Sequence, residues 1–204
     1  MTKQFLKILA FILPLISALP ALAILEVNVG GQGILSSSGS GNWTGTGGIN
    51  YSYSGGYGMQ ADVRLNIPTS DWQFGLRYGQ IGLSGSSGGA NLSMNGTTYS
   101  ALVGYRLINT GVLLGPVVTY ALSGSGTLQN SLASTGGSTA TAGSVSGYTA
   151  GLEIGIKFPL LVSLELGMGN LNMSSFSNSQ TLGGSATNVQ LSGTYARISA
   201  GFQF

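Results

Sequence analysis

Residues 195–204 read YARISAGFQF, and hydrophobic side chains occupy every second position of this stretch. The hydrophobic set is Ala196, Ile198, Ala200, Phe202 and Phe204, and between them stand Tyr195, Arg197, Ser199, Gly201 and Gln203. Successive side chains of a β-strand point to opposite faces, so strict alternation indicates a strand whose two faces meet different environments. The stretch therefore predicts a strand with one apolar face and one polar face.

The same alternation recurs along the chain. It is clear in residues 57–67, 72–78, 99–107, 148–158 and 162–168, and weaker in residues 25–35 and 112–123. Pro116 falls inside the last of these segments, and proline cannot donate to a strand ladder, so we expect a bulge or a displaced strand boundary there. Together with the C-terminal stretch, the pattern predicts eight strands.

The first 23 residues have a different pattern. Lys3 and Lys7 precede an apolar run that is interrupted twice by proline and closes on Ala-Leu-Ala at residues 21–23. This is the layout of a secretory signal peptide, and the interruptions disfavour a transmembrane anchor. We expect residues 1–23 to be removed and residues 24–204 to form a single β-domain.

The composition is unusual for a water-soluble domain. The chain has 35 glycines, 6% charged residues and no cysteine, yet its mean hydropathy is +0.32. Residues 24–204 contain five basic and five acidic residues, so the net charge gives no reason to expect nucleic acid as a partner, and we predict none. A surface that faces lipid needs little charge. Because no stretch after residue 23 has the length and apolarity of a membrane helix, the sequence favours a closed β-barrel, which also pairs every backbone group.

The connections between the predicted strands alternate in length. Short ones fall at residues 68–71, near Asn109 and near Pro159, and long ones cover residues 36–50, 84–96, 124–145 and 173–188. Four long external loops and three short periplasmic turns are typical of outer-membrane barrels. The sequence thus predicts an all-β fold, an eight-stranded antiparallel up-and-down transmembrane β-barrel with loops rich in Ser, Gly, Thr and Asn.

Nearly all the ionisable residues after residue 23 fall on the polar face of a predicted strand, and only Asp71 falls in a turn. A basic side chain at the lipid midplane costs about 2–4 kcal/mol, so the polar face must be the lumen. Counting back from the turns places Asp62 opposite Arg77, and Glu153 beside Glu165, where the two carboxylates repel unless an arginine joins them. We predict a buried network of Glu26, Asp62, Arg64, Arg77, Arg106, Glu153, Lys157, Glu165 and Arg197.

Aromatic residues fall at the two ends of the predicted strands. From Tyr148 to Phe158 the strand rises about 3.3 Å per residue, and at a tilt of about 45° it spans about 23 Å of membrane. That height is close to the apolar band of such barrels. The aromatic residues predict two interfacial girdles: Tyr57, Tyr78, Tyr99, Tyr120 and Tyr148 at the loop end, and Trp72, Phe74, Tyr105, Phe158, Phe202 and Phe204 at the turn end.

In these features the chain resembles the small eight-stranded outer-membrane barrels of the OmpA/OmpX type. Its most specific motif is Gly201-Phe202-Gln203-Phe204 on an alternating strand, which resembles the C-terminal signal that the barrel-assembly machinery of Gram-negative bacteria reads, with Gly201, Phe202 and Phe204 as the signal residues. The resemblance implies an integral protein of the outer membrane of a Gram-negative bacterium. It also implies outer-membrane lipid and the assembly machinery as partners, and we expect a monomer.

The chain contains no histidine. The familiar outer-membrane hydrolases and acyltransferases use a histidine base, and an eight-stranded lumen leaves no room for a sugar beside Glu153 and Glu165, so we predict no enzymatic activity. We also predict no cofactor and no metal site.

Two functions remain. One is a structural or surface-interaction barrel whose lumen is filled by the polar network, and the other is a narrow conduit for ions, small solutes or an apolar ligand. Inward glycines such as Gly151 and Gly167 favour the conduit by removing side-chain volume, unless they make room for long arginine side chains. Because eight-stranded barrels usually fill their own lumen, we favour the structural role.

Overall fold

The computed structural model describes residues 24–43, 47–67, 70–87, 90–131, 138–177, 180–181 and 184–204. The predicted signal peptide, residues 1–23, lies outside the described residues. Among the described residues, no helix is long and apolar enough to cross a membrane.

Eight long strands and two strands of two residues make up the fold. The long strands are β1 (Ile24–Trp43), β2 (Gly47–Asn66), β3 (Trp72–Ser87), β4 (Ala90–Tyr105), β6 (Val112–Ser131), β7 (Ser138–Lys157), β8 (Leu161–Ser177) and β10 (Gly184–Gln203). The short strands are β5 (Ile108–Asn109) and β9 (Gln180–Thr181). The short strand β5 pairs with β6, and β9 pairs with β10.

Each long strand pairs antiparallel with the next long strand along the chain, and β1 pairs with β10. At the turn end of this last seam, Leu25 and Phe204 exchange backbone hydrogen bonds of 3.2 and 2.8 Å. Closure leaves no unpaired sheet edge, which a barrel in lipid requires. The prediction of an eight-stranded antiparallel up-and-down barrel is confirmed.

The strand registers agree with the pairing counted from the turns. Asp62 pairs with Arg77 on β3, and Glu153 pairs with Glu165 on β8. Arg197 on β10 pairs with the same Glu165 from the other side. These registers bring ionisable side chains of neighbouring strands to the same height in the lumen.

The strands extend further at the loop end than the sequence predicted. Residues 36–50, 84–96, 124–145 and 173–188 contribute mainly to strands, and β1 and β2, for example, are separated only by residues 44–46. Their glycine and serine content is typical of loops. They form strands because the ladders continue through them and alternate residues turn apolar side chains into the barrel.

Pro116 does not form the predicted bulge. The β6–β7 ladder passes through the pair of Pro116 and Leu152 without a shift, and the β4–β6 ladder ends one residue away, at Gly104 and Val117. The missing N–H of the proline therefore falls where the pairing with β4 has already stopped. The register shift in β6 lies at Leu122 instead.

The polarity of the inner and outer faces of the barrel reverses along its length. Near the turn end of β10, Arg197 is buried inside and Ile198 is exposed outside, whereas nearer the loop end Leu191 is buried inside and Gln190 is exposed outside. Strands β3 and β8 change in the same way, whereas β6 changes only on its outer face, because Leu113 and Val117 are buried inside its turn half. We call the half of the barrel nearer the short turns the turn half and the half nearer the long connections the loop half. The apolar outer face of the turn half suits lipid, whereas the polar outer face of the loop half suits water and encloses an apolar interior.

Candidate functional site

The turn half of the lumen contains a layer of eight charged side chains. They are Glu26, Asp62, Arg64, Arg77, Arg106, Glu153, Glu165 and Arg197, and none is more than 4% exposed. Four are acidic and four are basic, so the layer, which we call the ionic layer, is neutral. Buried charges of this kind must be paired and hydrogen-bonded to be tolerated.

Arg64 lies at the centre of the ionic layer. Its Nη1 atom lies 2.6 Å from Oε2 of Glu153 and 3.5 Å from Oε1 of Glu26, and its Nη2 atom lies 2.7 Å from Oδ2 of Asp62. Arg106 contacts the same two glutamates, Glu26 at 3.4 Å and Glu153 at 3.2 Å. One arginine pair thus holds two carboxylates from the non-adjacent strands β1 and β7.

A second arginine pair holds Asp62 and Glu165. Arg77 lies 2.9 Å from Asp62 and 2.7 Å from Glu165, and Arg197 lies 2.8 Å and 3.1 Å from the same two carboxylates. Every carboxylate of the ionic layer therefore contacts at least two arginines.

Glu153 and Glu165 are neighbours, yet they bind different arginines. Each also accepts a hydrogen bond of 2.6 Å from a hydroxyl group, from Ser163 to Glu153 and from Tyr195 to Glu165. These two donors were not predicted from the sequence, because only aspartate, glutamate, lysine and arginine were assigned to the network. The sequence signal for them was their position on the inward-facing side of the alternation in β8 and β10.

Lys157 is the one predicted member of the network that lies apart from the ionic layer. It ends β7 at the turn end, is half-buried, and donates a hydrogen bond to the side chain of Asn109. Among the described residues it forms no salt bridge, and its long side chain places the ammonium group at the turn-side end of the lumen.

Inward glycines of the turn half make room for the buried polar side chains. A Cβ atom at Gly167 would lie 2.7 Å from the Tyr195 hydroxyl, and one at Gly151 would lie 3.0 Å from it. A Cβ atom at Gly75 would lie 3.2 Å from Cγ of Arg64. These glycines accommodate neighbouring side chains and do not line an open passage.

The loop half of the lumen contains a second layer, which is apolar. Its buried members are Leu83, Met94, Leu128, Ala140, Ala142, Val145, Met173, Val189 and Leu191. Met173 packs into a space left by Gly96 and Gly126, since a Cβ atom at either would lie 3.1 or 2.7 Å from its terminal methyl carbon. We call this set the apolar layer. This layer was not predicted from the sequence because six of its nine residues fell in the predicted loops.

The predicted girdle residues lie on the outer face of the barrel. All are exposed except Tyr105, which is half-buried. Aromatic rings of neighbouring strands contact each other at both ends, with centroids 5.3 Å apart for Tyr78 and Tyr99 and 5.0 Å apart for Trp72 and Tyr105. Aromatic rings suit the interface between lipid and water because they combine an apolar body with a polar edge.

The C-terminal motif has its own two faces. Gly201 is buried inside the barrel, and Phe202 and Phe204 are exposed outside with ring centroids 6.4 Å apart. Recognition of this motif by an assembly machinery stays a prediction.

Within the part of the chain that the structure describes, no group of three or more acidic, histidine or cysteine side chains could hold a metal ion. The acidic side chains of the ionic layer bind arginines instead.

Comparison with known sequences gives no match, either to a family model or to a curated protein. Comparison with solved structures gives several. OprG, an outer membrane protein from Pseudomonas aeruginosa, has a TM-score of 0.50 and 11% identity, over 90% of this chain and 96% of that chain. Ail, the attachment invasion locus protein of Yersinia pestis, has a TM-score of 0.49 and 14% identity, over 90% and 99%. Neisserial surface protein A has a TM-score of 0.48 and 15% identity, over 87% and 97%.

At these identities the likeness concerns the fold alone. The closed eight-stranded barrel, with an apolar outer band and charged side chains inside, has the fold of the small outer-membrane β-barrels such as OprG. The fold class predicted from the sequence is confirmed, and the outer-membrane location stays a prediction.

Proposed function

We propose that the protein is a closed, self-filled outer-membrane barrel with a structural and surface-interaction role and no catalytic role. The observation that carries the proposal is the ionic layer, in which eight buried charges neutralise one another across the whole lumen. A transported ion would have to displace paired charges in a water-poor interior, at a cost of several kcal/mol. Filling of this kind stabilises a barrel and opposes passage.

The apolar layer supports the same proposal. It lies nearer the loop end than the ionic layer, so a solute would have to cross two layers of unlike chemistry. Met94, Met173 and Val189 are completely buried in it. The conduit alternative has no comparable support, because the glycines that favoured it accommodate packed side chains.

The outer wall beyond the tyrosine girdle is the surface that the barrel presents. Hydroxyl groups pair across its strands, for example Ser36 with Thr194 at 2.8 Å and Thr97 with Ser125 at 3.0 Å. No ionisable residue falls in the loop-side segments of residues 24–204. A partner of this surface would bind through hydrogen bonds to hydroxyls and amides, with little dependence on salt.

Planar-bilayer recording of the refolded protein tests the closed barrel. We expect no current steps from the wild type, and none from Arg77→Ala, because the apolar layer still blocks the lumen. Leu164→Ala, which changes only the lipid-facing surface, is the matched control, and a known porin verifies the recording. Current steps from the wild type whose amplitude changes in Arg77→Ala but not in Leu164→Ala would establish the conduit instead.

A further inference from the structure

A cavity of about 120 Å3 lies inside the barrel between the ionic layer and the apolar layer. Tyr195, which donates to Glu165 of the ionic layer, lines it on one side, and Leu83 and Leu191 of the apolar layer line it on the other. The proposed structural role does not require this cavity.

The cavity exists because a glycine interrupts a row of polar side chains. Gly79 on β3 pairs with Gln60 on β2 and with Thr98 on β4. A Cβ atom at Gly79 would have only the Thr98 hydroxyl, at 3.0 Å, and Cγ of Gln60, at 3.9 Å, as neighbours. The space beside Gly79 is therefore open toward the lumen.

The walls of the cavity differ in chemistry. Gln32, Gln60 and Thr98 contribute polar groups, and the Oε1 atoms of Gln32 and Gln60 are buried without a hydrogen-bond partner among the described residues. Aliphatic side chains also line the cavity, with Ile81 and Leu171 beside the two leucines of the apolar layer. Unsatisfied buried acceptors are costly, so a donor from an occupant would stabilise them.

We infer that this cavity is a binding site for a small uncharged amphiphile, with one hydrogen-bond donor and an apolar body of about six non-hydrogen atoms. The size follows from the volume, since an apolar cavity of about 150 Å3 accepts benzene. The absence of charge follows from the neutrality of the ionic layer, because an added charge would stay unbalanced in the interior. Water satisfies the acceptors of the polar side chains but leaves the aliphatic side chains without a packing partner, whereas an amphiphile contacts both.

Binding of 4-fluorophenol, followed by 19F NMR in detergent micelles, tests the site. We expect saturable binding of one molecule per chain beyond that of empty micelles. Fluorobenzene, which lacks the donor, should bind about tenfold more weakly. No saturable binding of either probe would mean that the cavity holds water only, and would overturn the inference.

Filling the cavity provides the matched comparison. Gly79→Val places a side chain in the cavity and should weaken 4-fluorophenol binding by about tenfold or more. Gly33→Val is the control, because Gly33 faces outward and a Cβ atom there has no neighbour within 4 Å. Leu171→Phe fills the cavity from β8 and is the second filling variant, to be used if Gly79→Val does not fold. Equal binding by the filling variants and the control would contradict the site. Neither outcome depends on the bilayer current, so the closed barrel and the cavity site succeed or fail separately.

Discussion

At the scale of single residues, the stability of the ionic layer depends on which carboxylate contacts which arginine. Glu165 contacts Arg77 at 2.7 Å and Arg197 at 3.1 Å, and Tyr195 donates to it at 2.6 Å. Since the layer is neutral as a whole, removing any one charge leaves an unbalanced charge in a buried place. The contribution of one residue is therefore inseparable from that of its partners.

Glu165→Gln should lower the free energy of unfolding by about 3–5 kcal/mol, because it leaves the buried Arg77 and Arg197 with Asp62 as their one shared carboxylate. Arg197→Gln should have a similar effect through Asp62 and Glu165. The double variant restores neutrality and should be less destabilised than the sum of the two single variants. Urea unfolding in lipid vesicles, followed by tryptophan fluorescence, measures all three.

Asp71→Asn is the matched control, since Asp71 is exposed in the turn between β2 and β3. It should change the unfolding free energy by less than about 0.5 kcal/mol. Strictly additive single variants would show that the charges do not act as one layer.

At the scale of the elements, each long strand serves two different environments. On β6, Val118 is exposed in the membrane half, and further along the strand Leu128 is buried in the apolar layer beside exposed Gln129. The register shift at Leu122 lies between these two parts. The extra residue of such a shift changes which face the following side chains occupy, so one strand can satisfy both environments.

Leu128→Ala should destabilise the loop half selectively. Truncating a buried leucine costs about 2–5 kcal/mol, and this loss falls on the apolar layer alone. Amide hydrogen exchange should accelerate in the loop-side parts of β4, β6 and β7, and it should stay slow around Val117 and Thr119 in the membrane half. Leu122→Ala, at an outward position that is 62% exposed, is the matched control and should leave both halves protected. Uniform acceleration along β6 would show that the barrel opens as one unit.

At the scale of the whole molecule, an apolar band on the outside surrounds a charged interior, and a polar outer wall surrounds an apolar interior further along the axis. Leu166 is half-exposed in the band, Trp72 lies at its turn-side girdle, and Thr127 lies beyond the tyrosine girdle. This arrangement fixes how deep the barrel sits in the lipid, since the band must match the hydrocarbon thickness.

Tryptophan quenching by brominated lipids should report this depth. In a Trp43→Phe background, Trp72 should be quenched most by bromines placed near the headgroups. With Trp72 also changed to Phe, Leu166→Trp should be quenched most by bromines deep in the acyl chains, and Thr127→Trp should be quenched little by either. Strong quenching at Thr127→Trp would place the loop half within the membrane and contradict the two-part barrel.

Much of the lumen could be predicted from the sequence, because the partners on neighbouring strands can be found by counting residues from the short turns. Alternation puts charges on one face, and short turns fix the pairing, so Asp62 and Arg77, or Glu153 and Glu165, can be matched by number. Contacts across the lumen, such as Arg64 with Glu153, cannot be counted in this way, because β2 and β7 are not neighbours in the sheet.

The sequence by itself determined the class of fold, the number of strands, the face on which each ionisable residue lies and the ends at which the aromatic residues gather. All of these follow from the two-residue period of a strand and from the free-energy cost of placing charge in lipid. Both can be recognised within a single strand. Only the tertiary structure decided that the loop-side segments are strands around an apolar layer and that a cavity separates this layer from the ionic layer. Residues such as Met94 and Met173 carry no local sign of being inside, because their burial comes from strands that meet only when the barrel closes.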